Sequence, residues 1–125
     1  MSLILLIEDE MHSRQTLRHV FEEAGHTVAE AASGREGLTA ASGLLPDLIL
    51  LDVMLPEMNG WDVCRQLKAN PLTRTIPVLI LTGNQRESDE LRGWESGIDD
   101  YMTKPWSVDP LLAMISRFLA PAKAA

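Results

Sequence analysis

The chain has 125 residues, enough for one domain built on one core. Apolar residues make up 46% of it, which excludes a disordered chain, and 18 acids against 11 bases give a formal charge of −7, a poor match to nucleic acid or an anionic membrane surface. A single cysteine, Cys64, excludes an intramolecular disulfide and a cysteine-based metal cluster, and it fits a reducing cytoplasm.

The first element is the apolar run "LILLI" at 3–7, which ends abruptly in acids. It has no basic segment before it and is far shorter than the ~20 residues a membrane helix needs, so it reads as a buried strand and not as a signal peptide. Leu17, Val20, Phe21 and Ala24 then recur at helical spacing over 11–24, with Gly25 as the stop. "TVAEA" at 27–31 is more mixed, as an edge strand is, and an Ala-rich helix is expected over 34–42. "DLILL" at 47–51 is a second strand, almost wholly apolar. Trp61, Cys64 and Leu67 give the helix over 60–69 its core face. "VLIL" at 78–81 is the fourth strand, and 86–96 is a polar helix with Leu91 and Trp94 as anchors. "DYMT" at 100–103 is the fifth strand. Val108, Leu111, Leu112, Ile115, Phe118 and Leu119 make the last helix amphipathic.

The order is therefore β-α, five times over. Strands apolar on both faces imply a parallel sheet between two helix layers. The expected fold is an α/β, flavodoxin-like (βα)5 three-layer sandwich with strand order 2-1-3-4-5. In such sheets ligands bind beyond the carboxyl ends of the strands, near the point where the order reverses. Glu8 and Asp9 follow the first strand, Asp52 ends the third, Thr82 and Gly83 end the fourth, and Lys104 and Pro105 follow the fifth.

Each of these residues has a plainer role open to it. Glu8, Asp9 or Glu10 can cap the following helix, Thr82 and Pro105 can be turn residues, and Lys104 can be a solvated charge. Taken together they ask for more. Carboxylates about 4 Å apart repel by roughly 4 kcal/mol per pair at an effective dielectric near 20, so the cluster needs a cation. Oxygen ligands without histidine or thiolate suit Mg²⁺, or Mn²⁺ in its place. A metal, a lysine and neutral donors around one carboxylate are the parts of a phosphoryl-transfer site, in which Asp52 is the nucleophile that becomes an aspartyl phosphate.

With "ILLIEDE", "LILLDVMLPEMNGWDVCRQLK", "IPVLILTG" and "GIDDYMTKPWS" in this order, the chain resembles the receiver domain of two-component response regulators over nearly its whole length. The resemblance implies a receiver domain over 1–120 and a short tail over 121–125. It implies Glu8, Asp9, Asp52 and the backbone carbonyl of Met54 as metal ligands, and Asp52 as phosphoacceptor. Thr82, Lys104 and the Gly83 backbone would hold the phosphoryl group. Tyr101 is the implied switch aromatic, turned to solvent until Thr82 moves toward the phosphate, and the Lys104–Pro105 peptide is expected to be cis. Trp106 stands where phenylalanine is common in the family and is read as packing near the site. Met54 and Asn84 occupy positions that influence dephosphorylation, and together they imply slow to intermediate self-hydrolysis.

The implied donor is the phosphohistidine of a sensor histidine kinase or of a phosphotransfer domain, and small donors such as acetyl phosphate serve too. The output is a downstream protein target or a fused output domain, reached through the face made by the last two helices and the fifth strand. Neither direct nucleic-acid binding nor membrane binding is expected, and the location implied is cytoplasmic. A domain that promotes its own phosphorylation and dephosphorylation is a switch and not a conventional enzyme. Pro110 and Met114 stand where one DNA-binding subfamily carries an acid and a base for dimerisation, which argues against that dimer. The chain reads equally as a stand-alone regulator or as part of a larger one. His12, His19 and His26 are read as surface or packing residues.

Three other readings compete. A haloacid-dehalogenase-like phosphatase also uses an aspartate nucleophile, but it carries an acid two residues later, where this chain has Met54. A flavin carrier shares the strand order, but "EDEMH" after the first strand repels phosphate. A receiver-like interaction module that is never phosphorylated usually lacks an acid, the acceptor or the lysine, and this chain keeps all three.

Overall fold

The computed structural model describes residues 2–52, 55, 57–82 and 97–124; at Thr82 and over 120–124 it describes the backbone. The helix expected over 86–96, with Leu91 and Trp94, lies outside the described residues, as do Met54, Gly83 and Asn84.

Five strands form one parallel sheet: β1 (Leu3–Ile7), β2 (Thr27–Ala31), β3 (Leu48–Asp52), β4 (Val78–Thr82) and β5 (Asp100–Thr103). Their order is β2-β1-β3-β4-β5, as the alternation of elements predicts. Pairing runs Ile4 to Leu48 in β1–β3, Asp52 to Leu81 in β3–β4 and Thr82 to Thr103 in β4–β5. The described helices are α1 (Met11–Glu23), α2 (Gly34–Leu44), α3 (Gly60–Ala69) and α4 (Val108–Ala124).

Side chains alternate across each strand, so the central strands feed two separate cores. Leu5, Ile7, Ile49, Leu51, Val78 and Ile80 face α2 and α3, where they meet Ala41, Trp61, Val63, Cys64 and Leu67. Ile4, Leu6, Leu48, Leu50, Leu79 and Leu81 face α1 and α4, where they meet Leu17, Phe21, Leu111, Met114, Ile115 and Leu119. Met114 is thus a core residue and is not displayed on the outer face of the last helix, while Val108, read as a core position, is exposed.

Local signals set the helix boundaries. Glu10, Ser33 and Asn59 are the N-caps of α1, α2 and α3, each accepting from a backbone N–H of the first turn. Gly25, at φ 97, takes the left-handed conformation just past α1. α2 runs two residues beyond the expected 34–42. Ser42 and Gly43 look like terminators, but the chain holds helix until Leu45, at φ 49, whose N–H bonds back to Ala41. The third strand begins one residue later than expected, because Asp47 exchanges hydrogen bonds with the Leu3 backbone instead. At Gly37, α2 lies so close to the sheet that an added Cβ would sit 2.4 Å from Ile7 Cδ1.

Candidate functional site

The expected cluster forms at the carboxyl edge of β1 and β3. Carboxylate oxygens of Glu8, Asp9 and Asp52, one from each residue, lie within 4.8 Å of one another. Glu8 and Asp52 are buried and Asp9 is exposed. Adjacency of β1 and β3 is what brings residues 8 and 52 together across the switch point.

The three acids after β1 separate into different roles. Glu10 accepts from the backbone N–H of His12 at 3.1 Å and of Ser13 at 2.8 Å, so it is the helix cap. Glu8 Oε2 accepts from Glu10 N–H at 3.1 Å. Glu8 Oε1 is buried and has no hydrogen-bond partner. A buried carboxylate oxygen left without a donor costs free energy, and a cation seated between Glu8, Asp9 and Asp52 would satisfy it. The donor set is all oxygen, two of the three ligands are buried and one side is open to solvent, which fits a hard divalent ion that keeps several waters.

Lys104 follows β5 across a cis peptide to Pro105. Its Nζ donates to Asp52 Oδ2 at 3.3 Å and lies 3.7 Å from Glu8 Oε1. One ammonium faces three carboxylates, so the site carries excess negative charge. Burial, opposed by the Glu10 N–H and reinforced by the charge on Asp52, pushes the Glu8 carboxyl up to about 7.

Of the remaining expected residues, Thr82, Tyr101 and Trp106 are described. Thr82 closes β4 and pairs with Thr103, one position before Lys104. Tyr101 pairs with Ile80 and is half-buried, packed against the core between the sheet and α2 and α3, a more enclosed position than the solvent-facing one expected. Trp106 is partly buried against the opposite core, the one that holds Leu111 and Met114. The Met54 carbonyl and the Gly83 backbone lie outside the described residues.

One residue at this site escaped the sequence reading. Arg14 Nη1 donates to the backbone carbonyls of Glu8 at 3.0 Å and Asp9 at 3.1 Å, while its Nε donates to Glu30 Oε1 at 3.0 Å. Arg18, one turn on, pairs with the other oxygen of Glu30 and with Glu22. The available signal was a pair of arginines at i, i+4 on α1 beside a lone glutamate on an edge strand. Periodicity arguments attend to apolar residues and pass over such a pair.

Comparison with known proteins places these residues in a wider group. The family model described as response regulator receiver domain matches residues 4–116. The DNA-binding dual master transcriptional regulator RpaA of Synechocystis sp. is 40% identical over 119 residues, covering 95% of this chain and 49% of that protein. Protein PilH of Pseudomonas aeruginosa is 36% identical over 120 residues, covering 96% of this chain and 99% of that one. The chain thus spans about half the length of RpaA and of several other curated relatives, and nearly all of PilH. Among solved structures, the receiver domain of a sensor histidine kinase from Pseudomonas aeruginosa superposes with a TM-score of 0.87 at 27% identity, covering 94% of this chain and 96% of that one. That crystal structure has a magnesium ion coordinated in its active-site cleft.

Proposed function

The chain belongs to the response regulator receiver domain family, and from that premise we propose that it is a phosphoacceptor switch in which Asp52 takes a phosphoryl group from a kinase phosphohistidine. The reading rests above all on one observation, the convergence of Glu8, Asp9 and Asp52 with a buried Glu8 oxygen that accepts no hydrogen bond and the Lys104 ammonium set between Glu8 and Asp52.

Glu8, Asp9 and Asp52, with the Met54 carbonyl, would hold Mg²⁺ or Mn²⁺, which when bound neutralises charge developing on the transferring phosphoryl group. The other Asp52 oxygen attacks phosphorus. The new O–P bond forms as the N–P bond to the donor imidazole breaks, and the imidazole leaves with the bonding pair. Lys104 offsets charge on the phosphoryl oxygens, and Thr82 with the Gly83 N–H supplies neutral donors. The nucleophile is a carboxylate and needs no general base, and the donor imidazole leaves neutral when its other ring nitrogen carries a proton. Later attack by water on phosphorus breaks the Asp52 O–P bond, releases inorganic phosphate and restores the Asp52 carboxylate. The protein is consumed and regenerated as a switch and does not turn over a separate substrate.

Phosphorylation adds charge and acceptor oxygens at the carboxyl edge of the sheet. Thr82 would turn toward them and Tyr101 would follow, altering the face of β5, α4 and the segment 86–96. Partners of this switch are a sensor histidine kinase or phosphotransfer domain upstream, and a protein target or fused output domain downstream. In this reading the domain itself contacts neither DNA nor membrane, on the ground of its acidic charge. Among the described residues no helix is long and apolar enough to cross a bilayer. A cytoplasmic location follows from the same reading.

Incubation with acetyl phosphate and Mg²⁺, followed by intact mass measurement, tests the proposal. The expected result is a gain of one phosphoryl group that is absent without metal and absent in Asp52→Asn. A chain that gains nothing under these conditions is an interaction module, and one that releases phosphate continuously from a monoester is a phosphatase.

A further inference from the structure

We propose that Arg14 is a positioning residue of the metal site, acting through the backbone that carries Glu8 and Asp9. The inference rests on the metal-binding reading above and extends it to a residue that touches neither cation nor phosphoryl group.

The loop between β1 and α1 must present two adjacent carboxylates in fixed directions. The Glu8 N–H is held by the Ala31 carbonyl at 3.0 Å. The carbonyls of Glu8 and Asp9 precede the first helical hydrogen bond of α1, which runs from Arg14 N–H to the Glu10 carbonyl. Arg14 Nη1 binds both of them, at 3.0 and 3.1 Å. The guanidinium is itself fixed at Nε by Glu30 Oε1, and its side chain is only 17% exposed. Glu30 in turn sits on β2 beside Ala31 and is braced by Arg18. A continuous chain thus runs from the sheet edge through Glu30 and Arg14 to the acidic pair. A planar guanidinium can serve three acceptors at fixed angles, which an ammonium on a flexible stem cannot. Groups that orient ligands in this way typically change metal affinity 10- to 100-fold when removed.

Charge and position predict opposite signs. Deleting a cation beside an acidic site, by charge alone, tightens Mg²⁺ binding. Losing the positioning weakens it. A role as a mere staple between α1 and β2 lowers the melting temperature and leaves affinity alone.

The test measures Mg²⁺ binding by calorimetry on folded, metal-free protein, with the melting temperature recorded separately. Arg14→Met is expected to raise Kd roughly tenfold, Arg14→Lys to raise it less, and Glu30→Ala to raise it in the same direction. Arg65→Met, which removes an exposed ion pair to Asp62 elsewhere, serves as the control and should leave Kd unchanged. Phosphorylation of Arg14→Met by acetyl phosphate should recover toward the wild-type rate at saturating Mg²⁺. Should Arg14→Met not fold, Arg14→Lys and Glu30→Ala carry the test. An unchanged or tighter Kd in the folded variants, beside a wild type that binds normally, overturns the positioning role alone. A wild-type chain without Mg²⁺ affinity overturns the metal-site reading and this inference with it.

Discussion

Lys104 places its ammonium between two buried carboxylates, 3.3 Å from Asp52 Oδ2 and 3.7 Å from Glu8 Oε1. In the metal-free site it is the cation that holds these acids together, so a divalent ion and Lys104 compete for the same oxygens. Lys104→Met should therefore bind Mg²⁺ at least as tightly as the wild type, because the site becomes more negative. Phosphorylation by acetyl phosphate should nonetheless slow by about 100-fold or more, the usual result of deleting a charged donor to a transferring group. Calorimetry and a time course of intact mass separate the two effects. A variant that loses metal affinity along with transfer would mean that Lys104 serves the structure of the site and not the phosphoryl group.

Glu8 makes the metal-free chain sensitive to pH. Its carboxyl titrates near 4.5 when unfolded and is pushed up to about 7 when folded, chiefly by burial. Between those values the folded state holds a proton that the unfolded state has released. Its contribution to stability is therefore fully present below pH 4.5 and is lost as pH rises toward 7. Denaturant melts in chelator should show that decline, and Glu8→Gln should flatten it. Magnesium reverses the trend by binding the ionised form, and at a hundredfold excess over Kd it adds about 2.7 kcal/mol. A chelated wild type whose stability rises steadily across this window would contradict the assignment.

The strands and their order were readable because each central strand is an unbroken apolar run, and five such runs alternating with helical patterns admit few topologies. Residues 8 and 52 are far apart in sequence, yet the topology alone predicts their meeting. Three things were less legible. Glu8, Asp9 and Glu10 are chemically alike in sequence, and the extended backbone of Glu10 decides which of them caps α1. Met114 falls on the buried side of α4 because the helix is rotated to seat Leu111 and Ile115 on the sheet, which an apolar count does not reveal. Arg14 acts on backbone carbonyls, and no residue-type pattern marks a carbonyl as needing a partner.

Close packing under the site predicts a distant effect on it. A methyl group at position 37 would lie 2.4 Å from Ile7 Cδ1 and 2.8 Å from Cγ1, and Ile7 is fully buried. Its β-branched side chain has little rotamer freedom with which to yield. Gly37→Ala should cost about 1–3 kcal/mol, the usual penalty for overpacking, despite the better helix propensity of alanine. Ile7 immediately precedes Glu8, so the strain falls on the strand that presents the acidic pair. Chemical denaturation measures the loss, and Ile7→Val, which removes one of the crowded atoms, should restore part of it in the double variant. An unaltered midpoint in Gly37→Ala would show that α2 can move away from β1 at little cost.

Tyr101 offers a direct readout of switching, because it is the chain's single tyrosine and packs half-buried against the core beside Ile80. Thr82 and Thr103 pair at the end of the same two strands, one residue before Lys104. If Thr82 couples the phosphoryl group to Tyr101, phosphorylation of the wild type should shift the ring resonances of that tyrosine. Thr82→Ala should still gain a phosphoryl group, since Asp52 and the acidic pair are intact, but its ring resonances should change far less. Moving a two-state equilibrium from 1:99 to 99:1 needs about 5.5 kcal/mol of differential stabilisation. One hydrogen bond to a charged group supplies about 1.5–3 kcal/mol, so its loss should leave a partial shift and not an unswitched protein. Phosphorylated Thr82→Ala with ring resonances displaced as fully as the wild type would place the coupling elsewhere, in the charge at Asp52 acting through Lys104 and β5.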